Sequence, residues 1–218
     1  MTGLVGLGLG TSSITPSHFP SLVENLILQK PLQQPVFTCL LTRPSEQPGF
    51  YTFGYIDDIL SKPGIVFNNI VTNGIGPGQW EIKSEYAVLN GIHIQTQTNT
   101  VVVDTGTPGI LLEESLVRDI YALLHGQFDT DLQSWKFPAN LTEFPMVTLP
   151  VGVSNITLTP PDFAIGQPDD AGWVFGSIQS RKKLLFDVFG HSWLNNIYAV
   201  FDLGMTGAIV RFGLSPRN

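Results

Sequence analysis

Val101-Val-Val-Asp-Thr-Gly-Thr107 is the stretch on which the fold turns. Three β-branched residues in a row read as a strand buried on both faces. The strand stops at Asp104, and Thr105, Gly106 and Thr107 then make a turn. Gly106 lets the backbone approach another chain element closely. The hydroxyls of Thr105 and Thr107 can hold the carboxylate and its loop. A carboxylate fixed in this way is preorganised to pass a proton to or from a water. Taken alone, Asp-Thr-Gly reads more simply as a turn cap ahead of a helix, since all three are ordinary turn residues.

The pattern on either side is mostly short strands. Downstream, residues 114–124 are amphipathic at helical spacing, with Glu113 and Glu114 near the positive end and Gly126 placed to cap the other. Upstream, residues 80–89 alternate with period two, Asn90-Gly91 signals a type I′ hairpin, and 92–97 return. Strands are predicted at 146–149, 153–158, 173–175, 188–189, 198–201 and 208–212, and at 35–41, where Cys39 reads as a small buried apolar residue. Leu22, Val23, Leu26 and Ile27 predict a helix over 21–29, stopped by Pro31. Gly3-Leu-Val-Gly-Leu-Gly8 reads as a buried strand ending in a tight turn, not as a G-x-G-x-x-G nucleotide fingerprint.

Composition narrows the classes. The 218 residues are 43% hydrophobic and 13% charged, which excludes disorder and allows one or two domains. With 22 Gly and 16 Pro, the chain suits many short strands joined by turns. A net charge of -7, with Arg181-Lys182-Lys183 as the longest basic run, argues against nucleic acid; that run is expected on a solvated turn. A single cysteine cannot close an intramolecular disulfide, and no zinc-like Cys/His spacing occurs, so no metal and no cofactor are expected. No apolar run reaches the roughly 18 residues of a membrane span, and the first ten residues lack the basic start of a signal peptide. Asn140-Leu-Thr142 and Asn155-Ile-Thr157 are sequons. His18, His93, His125 and His191 have no Gly-x-Ser-x-Gly partner, which sets a Ser-His-Asp hydrolase aside.

Val101-Val-Val-Asp-Thr-Gly-Thr107 also resembles the active-site signature of the pepsin-like aspartic proteases. Further pieces of that family follow its order. Gly3-Leu-Val-Gly-Leu-Gly8, Phe53-Gly-Tyr-Ile-Asp57 and Trp80-Glu-Ile82 resemble its first-lobe elements and its Trp-x-Ile strand. The run 186–202, FDVFGHSWLNNIYAVFD, resembles its penultimate strands, and Ile209-Val-Arg-Phe-Gly-Leu214 its terminal strand. Ser177-Ile-Gln-Ser-Arg181 is similar to the fungal branch. Two departures stand out. His191 follows Gly190 where the family usually has aspartate, and it is read as a loop variant. The family carries one Asp-Thr/Ser-Gly loop per lobe, whereas this chain has one in all; Asp129-Thr130-Asp131 and Asp202-Leu203-Gly204 do not qualify.

The resemblance implies an all-β, pepsin-like acid protease fold: a C-terminal lobe plus interdomain strands, with short helices. Residues 1–75 would be a remnant of the N-terminal lobe and connecting strands, with Trp80 at the junction, and 76–218 the C-terminal lobe. It implies an aspartic endopeptidase with Asp104 catalytic, Thr105, Gly106 and Thr107 supporting the loop, and Thr107 and Ile110 facing substrate. The first catalytic aspartate would lie in a front part outside these residues, so the chain alone is expected to be inactive or weakly active. Its partners would be a polypeptide substrate and a complementary lobe or second copy, with no nucleic acid and no membrane. The location would be extracellular or vacuolar. The alternative is a non-catalytic pepsin-like module that binds a peptide or partner.

Overall fold

Apolar segments broken every few residues by glycine, proline or asparagine leave room for short strands only, and strands dominate the computed structural model. It describes residues 3, 5–10, 20–29, 32–72, 74, 78–96, 99–204 and 209–217. The opening segment holds α1 (Leu22–Gln29), β1 (Val36–Leu40), β2 (Phe50–Phe53), β3 (Val66–Asn69) and β4 (Glu81–Lys83). Then come β5 (Tyr86–Leu89), β6 (Ile92–Gln95), β7 (Thr100–Val103), β8 (Ile110–Leu112), α2 (Glu114–Leu123), β9 (Gln127–Asp129) and β10 (Ser134–Pro138). They are followed by β11 (Val147–Val151), β12 (Ser154–Thr157), β13 (Ala164–Ile165), β14 (Trp173–Gly176), β15 (Ile178–Ser180), β16 (Asp187–Phe189) and α3 (His191–Leu194). The last strands are β17 (Ile197–Asp202) and β18 (Arg211–Pro216). The architecture is all-β with short helices, as expected.

By compactness the chain divides into Met1–Ile82 with Ile197–Asn218, and Lys83–Asn196. The sequence places a boundary at 75/76; compactness places it at Ile82, and the two last strands go with the first unit.

The first unit is built on an antiparallel sheet ordered β2-β1-β17-β18-β3. Every residue of β17 is buried, so both faces of the sheet are covered. One face carries an aromatic cluster: Phe37 and Phe201 stack at 4.4 Å, and Trp80 meets both edge-on at 5.8 and 4.9 Å. The Trp80 indole N–H donates to the Leu7 carbonyl at 3.0 Å. The other face packs Val36, Tyr198 and Val200 against Ile56, Leu60 and Phe67. Cys39 is buried in β1 as expected, and burial pushes its thiol up to about 12, which leaves it inert. In α1, Ser21 and Glu24 form a reciprocal capping box; Pro31, the expected stop, lies outside the described residues.

The expected strand at Gly3–Gly8 is not found. Residues 3 and 5–8 are not in a strand, and Val5 is 66% exposed; Leu4 lies outside the described residues. Glycines at 3 and 6 have nothing within 4 Å of a would-be Cβ, so the segment lacks the side chains and neighbours of a buried strand.

In the second unit β5 and β6 form the expected hairpin, with Asn90 at φ 50 and Gly91 at φ 82. It continues into the sheet β12-β11-β5-β6. A further sheet runs β13-β14-β10-β9. The helix α2 buries Leu116, Val117, Ile120 and Tyr121, the amphipathic face read from the sequence. Its C-terminal cap differs from expectation. His125, at φ 51, takes the left-handed position, and the Gly126 N–H reaches back to the Tyr121 carbonyl at 2.8 Å. Gly126 is still required there, because a Cβ would lie 2.5 Å from the Tyr121 ring.

Candidate active site

The site grows from three fully or largely buried strands. β16 lies between β7, to which it is parallel, and β8, to which it is antiparallel. Val101, Val102 and Val103 are matched with Asp187, Val188 and Phe189. Strands covered on both faces read as unbroken apolar runs, which is why Val101–Val103 does not alternate. At the end of β7 the chain leaves the sheet at Asp104 and re-enters it at Ile110, on the far side of β16.

That detour holds the carboxylate. The Gly106 N–H donates to Asp104 Oδ1 at 2.9 Å, and the Thr107 hydroxyl donates to Oδ2 at 2.6 Å. A carboxylate offers about four lone-pair sites, so two remain for a water or substrate. A Cβ on Gly106 would sit 3.2 Å from Oδ1, so any larger residue there would press on the carboxylate and shift it by a few tenths of an ångström. Thr105 is half-buried beside them.

The turn is in turn clamped by the segment after β16. The Gly190 N–H donates to the Gly109 carbonyl at 3.0 Å, and those of His191 and Ser192 to the Thr107 and Pro108 carbonyls at 2.7 and 3.2 Å. On the other side, the Ile110 N–H donates to the Ser177 carbonyl at 2.8 Å. A Cβ on Gly190 would lie 2.1 Å from the Thr107 oxygen and 2.4 Å from the Gly109 oxygen. No side chain but hydrogen fits. These clamps are backbone groups, so histidine at 191 makes them as well as aspartate would.

Of the residues read from the sequence, the structure brings Asp104, Gly106 and Thr107 together. Ile110 is fully buried as the first residue of β8, rather than open to a substrate. Its side chain belongs to the packing under the turn. Asp187 was not singled out. It sits at the start of β16, 5% exposed, bonded to Asn99 Nδ2 at 2.7 Å and to Arg181 at 2.9 Å. Arg181 also donates to Asn99 Oδ1 at 2.6 Å, closing a triangle. Burial, against the Arg181 charge, raises the Asp187 carboxyl to about 6. Asn99 lies 82 residues from Arg181 and 88 from Asp187, so no local signal marks the triangle. Arg181 of the basic run is therefore half-buried and committed, while Lys182 and Lys183 are solvated. Among the described residues no group of His, Cys, Asp or Glu is arranged to hold a metal ion.

A family model described as eukaryotic aspartyl protease matches residues 1–212. The chain is 31% identical over 211 residues to a protein of Aspergillus fumigatus named as an aspergillopepsin A-like aspartic endopeptidase, covering 92% of this chain and 47% of that one. It is 30% identical over 218 residues to aspartic protease pepA of Arthroderma gypseum, covering 92% and 51%. To aspergillopepsin-1 of Aspergillus pseudoglaucus it is 29% identical over 206 residues, covering 92% and 49%. The chain spans about half the length of the curated relatives it matches.

Proposed function

The chain belongs to the eukaryotic aspartyl protease family, and from that premise we propose that Asp104 is one of the two carboxylates of an aspartic endopeptidase. The observation that carries this reading is the fixed carboxylate: Asp104 leaves a buried strand and is oriented by the Gly106 amide and the Thr107 hydroxyl. Two such groups about 3 Å apart cannot both ionise, so they share one proton. The ionised member takes a proton from a water lying between them. The protonated member polarises the peptide carbonyl, and the water attacks it. Thr105, Gly106 and Thr107 hold the loop, Thr107 at the edge nearest the substrate, and Ile110 supports it from below.

Asp104-Thr-Gly106 is the one such tripeptide in the sequence. The second carboxylate then comes from a complementary lobe, whether in the same polypeptide or in a second copy, and the 218 residues alone turn over little or no substrate. The substrate is a polypeptide and the setting an extracellular or vacuolar one in a fungus. Asn140 and Asn155 are both exposed, Asn140 on a turn and Asn155 with its side chain accepting from the Tyr86 hydroxyl at 2.7 Å. Among the described residues no helix is long and apolar enough to cross a membrane. The single tripeptide equally favours a second reading, a non-catalytic module that binds peptide or a partner.

The experiment is cleavage of unfolded haemoglobin at about pH 3 to 5 by the assembly carrying both carboxylates. Asp104→Asn is expected to cut kcat by a factor of about a thousand or more, with pepstatin sensitivity confined to the unsubstituted protein. Equal activity in Asp104→Asn would overturn the assignment.

A further inference from the structure

The second unit carries a groove that proteolysis leaves unused. It encloses about 1100 Å³, and no residue from Asp104 to Gly109 lines it. Sites for small ligands run from about 300 to 1,000 Å³. One wall is apolar: Phe128, Leu132, Phe175 and Leu184 line it and are 40%, 68%, 39% and 40% exposed. Trp135 forms the floor, its indole fixed by stacking on Tyr121 at 5.0 Å and by the Phe128 edge at 5.5 Å. Scattered exposed apolar residues are ordinary, but a contiguous set around one hollow marks a binding surface.

The charge is unlike that of the rest of the chain. Arg118, Arg181, Lys182 and Lys183 line the groove against one acid, Glu114, although the whole chain has 18 acidic and 11 basic residues. Arg118 is paired with Glu114 at 2.9 Å and Arg181 with Asp187 at 2.9 Å. Lys182 and Lys183 have no ion pair among the described residues. Lys182 is held at φ 53 with its N–H on the Ser180 hydroxyl at 3.0 Å, a conformation that side chains rarely adopt.

We propose that this groove is a second ligand site, for a small amphiphile with an anionic head: a medium-chain carboxylate whose chain lies along Phe128, Leu132 and Trp135 and whose head meets Lys182 and Lys183. An acidic peptide fits less well. It would bring backbone N–H and C=O groups to a wall of side chains that leaves them unpaired.

The test is titration of dodecanoate into the full chain at about pH 7, where the carboxylate is ionised, read by tryptophan fluorescence and calorimetry. Saturable one-to-one binding is expected. The double substitution K182Q/K183Q weakens it about tenfold. Dodecan-1-ol, with the same chain and no charge, binds at least about tenfold more weakly. Leu132→Asp abolishes binding, and unchanged thermal unfolding of both variants, whose altered side chains are exposed, shows that the fold is intact. The proposal is overturned by no saturable binding up to about 1 mM. Dodecanol as tight as dodecanoate, an unaffected K182Q/K183Q, or a Leu/Asp peptide that saturates the groove where dodecanoate does not would each overturn it too.

Discussion

Asp104 and Asp202 stand at the ends of β7 and β17, one in each unit, and each is followed two residues on by glycine. Both turns are made the same way: the glycine N–H donates to the aspartate carboxylate at 2.9 Å. What differs is the group on the second oxygen. At Asp104 it is the Thr107 hydroxyl, at 2.6 Å. At Asp202 it is the Arg211 guanidinium, at 2.5 Å, which also lies over the Phe67 ring. A hydroxyl orients a carboxylate without cancelling its charge; a guanidinium neutralises it and occupies it from the side. The glycines differ too. Gly204 takes a left-handed backbone, at φ 67, whereas Gly106 leaves room beside Asp104, where a Cβ would come within 3.2 Å of Oδ1. The turn alone therefore does not make a reactive group, and the third partner decides between a proton-transfer site and a structural ion pair.

The sharpest break of the comparison is the pair of amides. Asp104→Asn is expected to remove about a thousandfold or more of kcat in the assembled protease and to leave stability within about 1 kcal/mol. Asp202→Asn should do the reverse: about 1 to 2 kcal/mol of stability, discounted because the Arg211 side chain is 43% exposed, and unchanged activity per folded molecule. Urea unfolding and initial rates measure the two. A similar activity loss in both would dissolve the distinction.

The glycines give the next contrast. Gly190→Ala pushes a methyl into the Thr107 and Gly109 carbonyls, both backbone and unable to yield, and should cost more than about 3 kcal/mol. Gly204→Ala puts a side chain at φ 67, a backbone strain worth about 1 kcal/mol. Equal unfolding midpoints would contradict the clamp.

The pH dependence of the second unit tests what anchors β16. The folded Asp187 carboxyl, at about 6, keeps its proton where the unfolded one, at 3.8, has lost it. The folded state thus binds more protons between these values, and stability falls as pH rises through them, by about 3 kcal/mol in all. That contribution is fully present below about pH 4, the acid side on which a carboxylate pair works. Asp187→Asn should flatten the slope in thermal unfolding from pH 4 to 7; an unchanged slope would assign it elsewhere. The smallest expected effect is that of Thr107→Val, about tenfold in kcat with under about 1 kcal/mol of stability, since one donor to Asp104 remains.

Much of this was readable from local pattern. The run Val101–Val103 announces a strand covered on both faces, Asn90-Gly91 a primed turn, and residues 114–124 a helix with one apolar face, because each signal lies within a few residues. The amide and hydroxyl around Asp104 follow from Gly106 and Thr107 being two and three positions away. What escaped was long-range. That β16 separates β7 from β8, that Gly190 seals the turn, and that Asn99, Arg181 and Asp187 close a triangle depend on residues some 80 apart. Gly3–Gly8 misled because its leucines and valine have the composition of a strand, while its glycines leave too little side chain to bury. Asp202-Leu203-Gly204 does not qualify by sequence or by preceding strand; that Arg211 holds its carboxylate is visible only in the structure.

The central claim is that Asp104 is half of a two-carboxylate device. Its most direct test is acid proteolysis by the 218-residue chain alone, then by the same chain mixed with a separately produced first lobe that carries its own Asp-Thr-Gly. The account predicts no turnover by the chain alone, pepstatin-sensitive turnover in the mixture, and none when the mixed chain is Asp104→Asn. Turnover by monomeric chain alone, or a mixture equally active with Asp104→Asn, would contradict it.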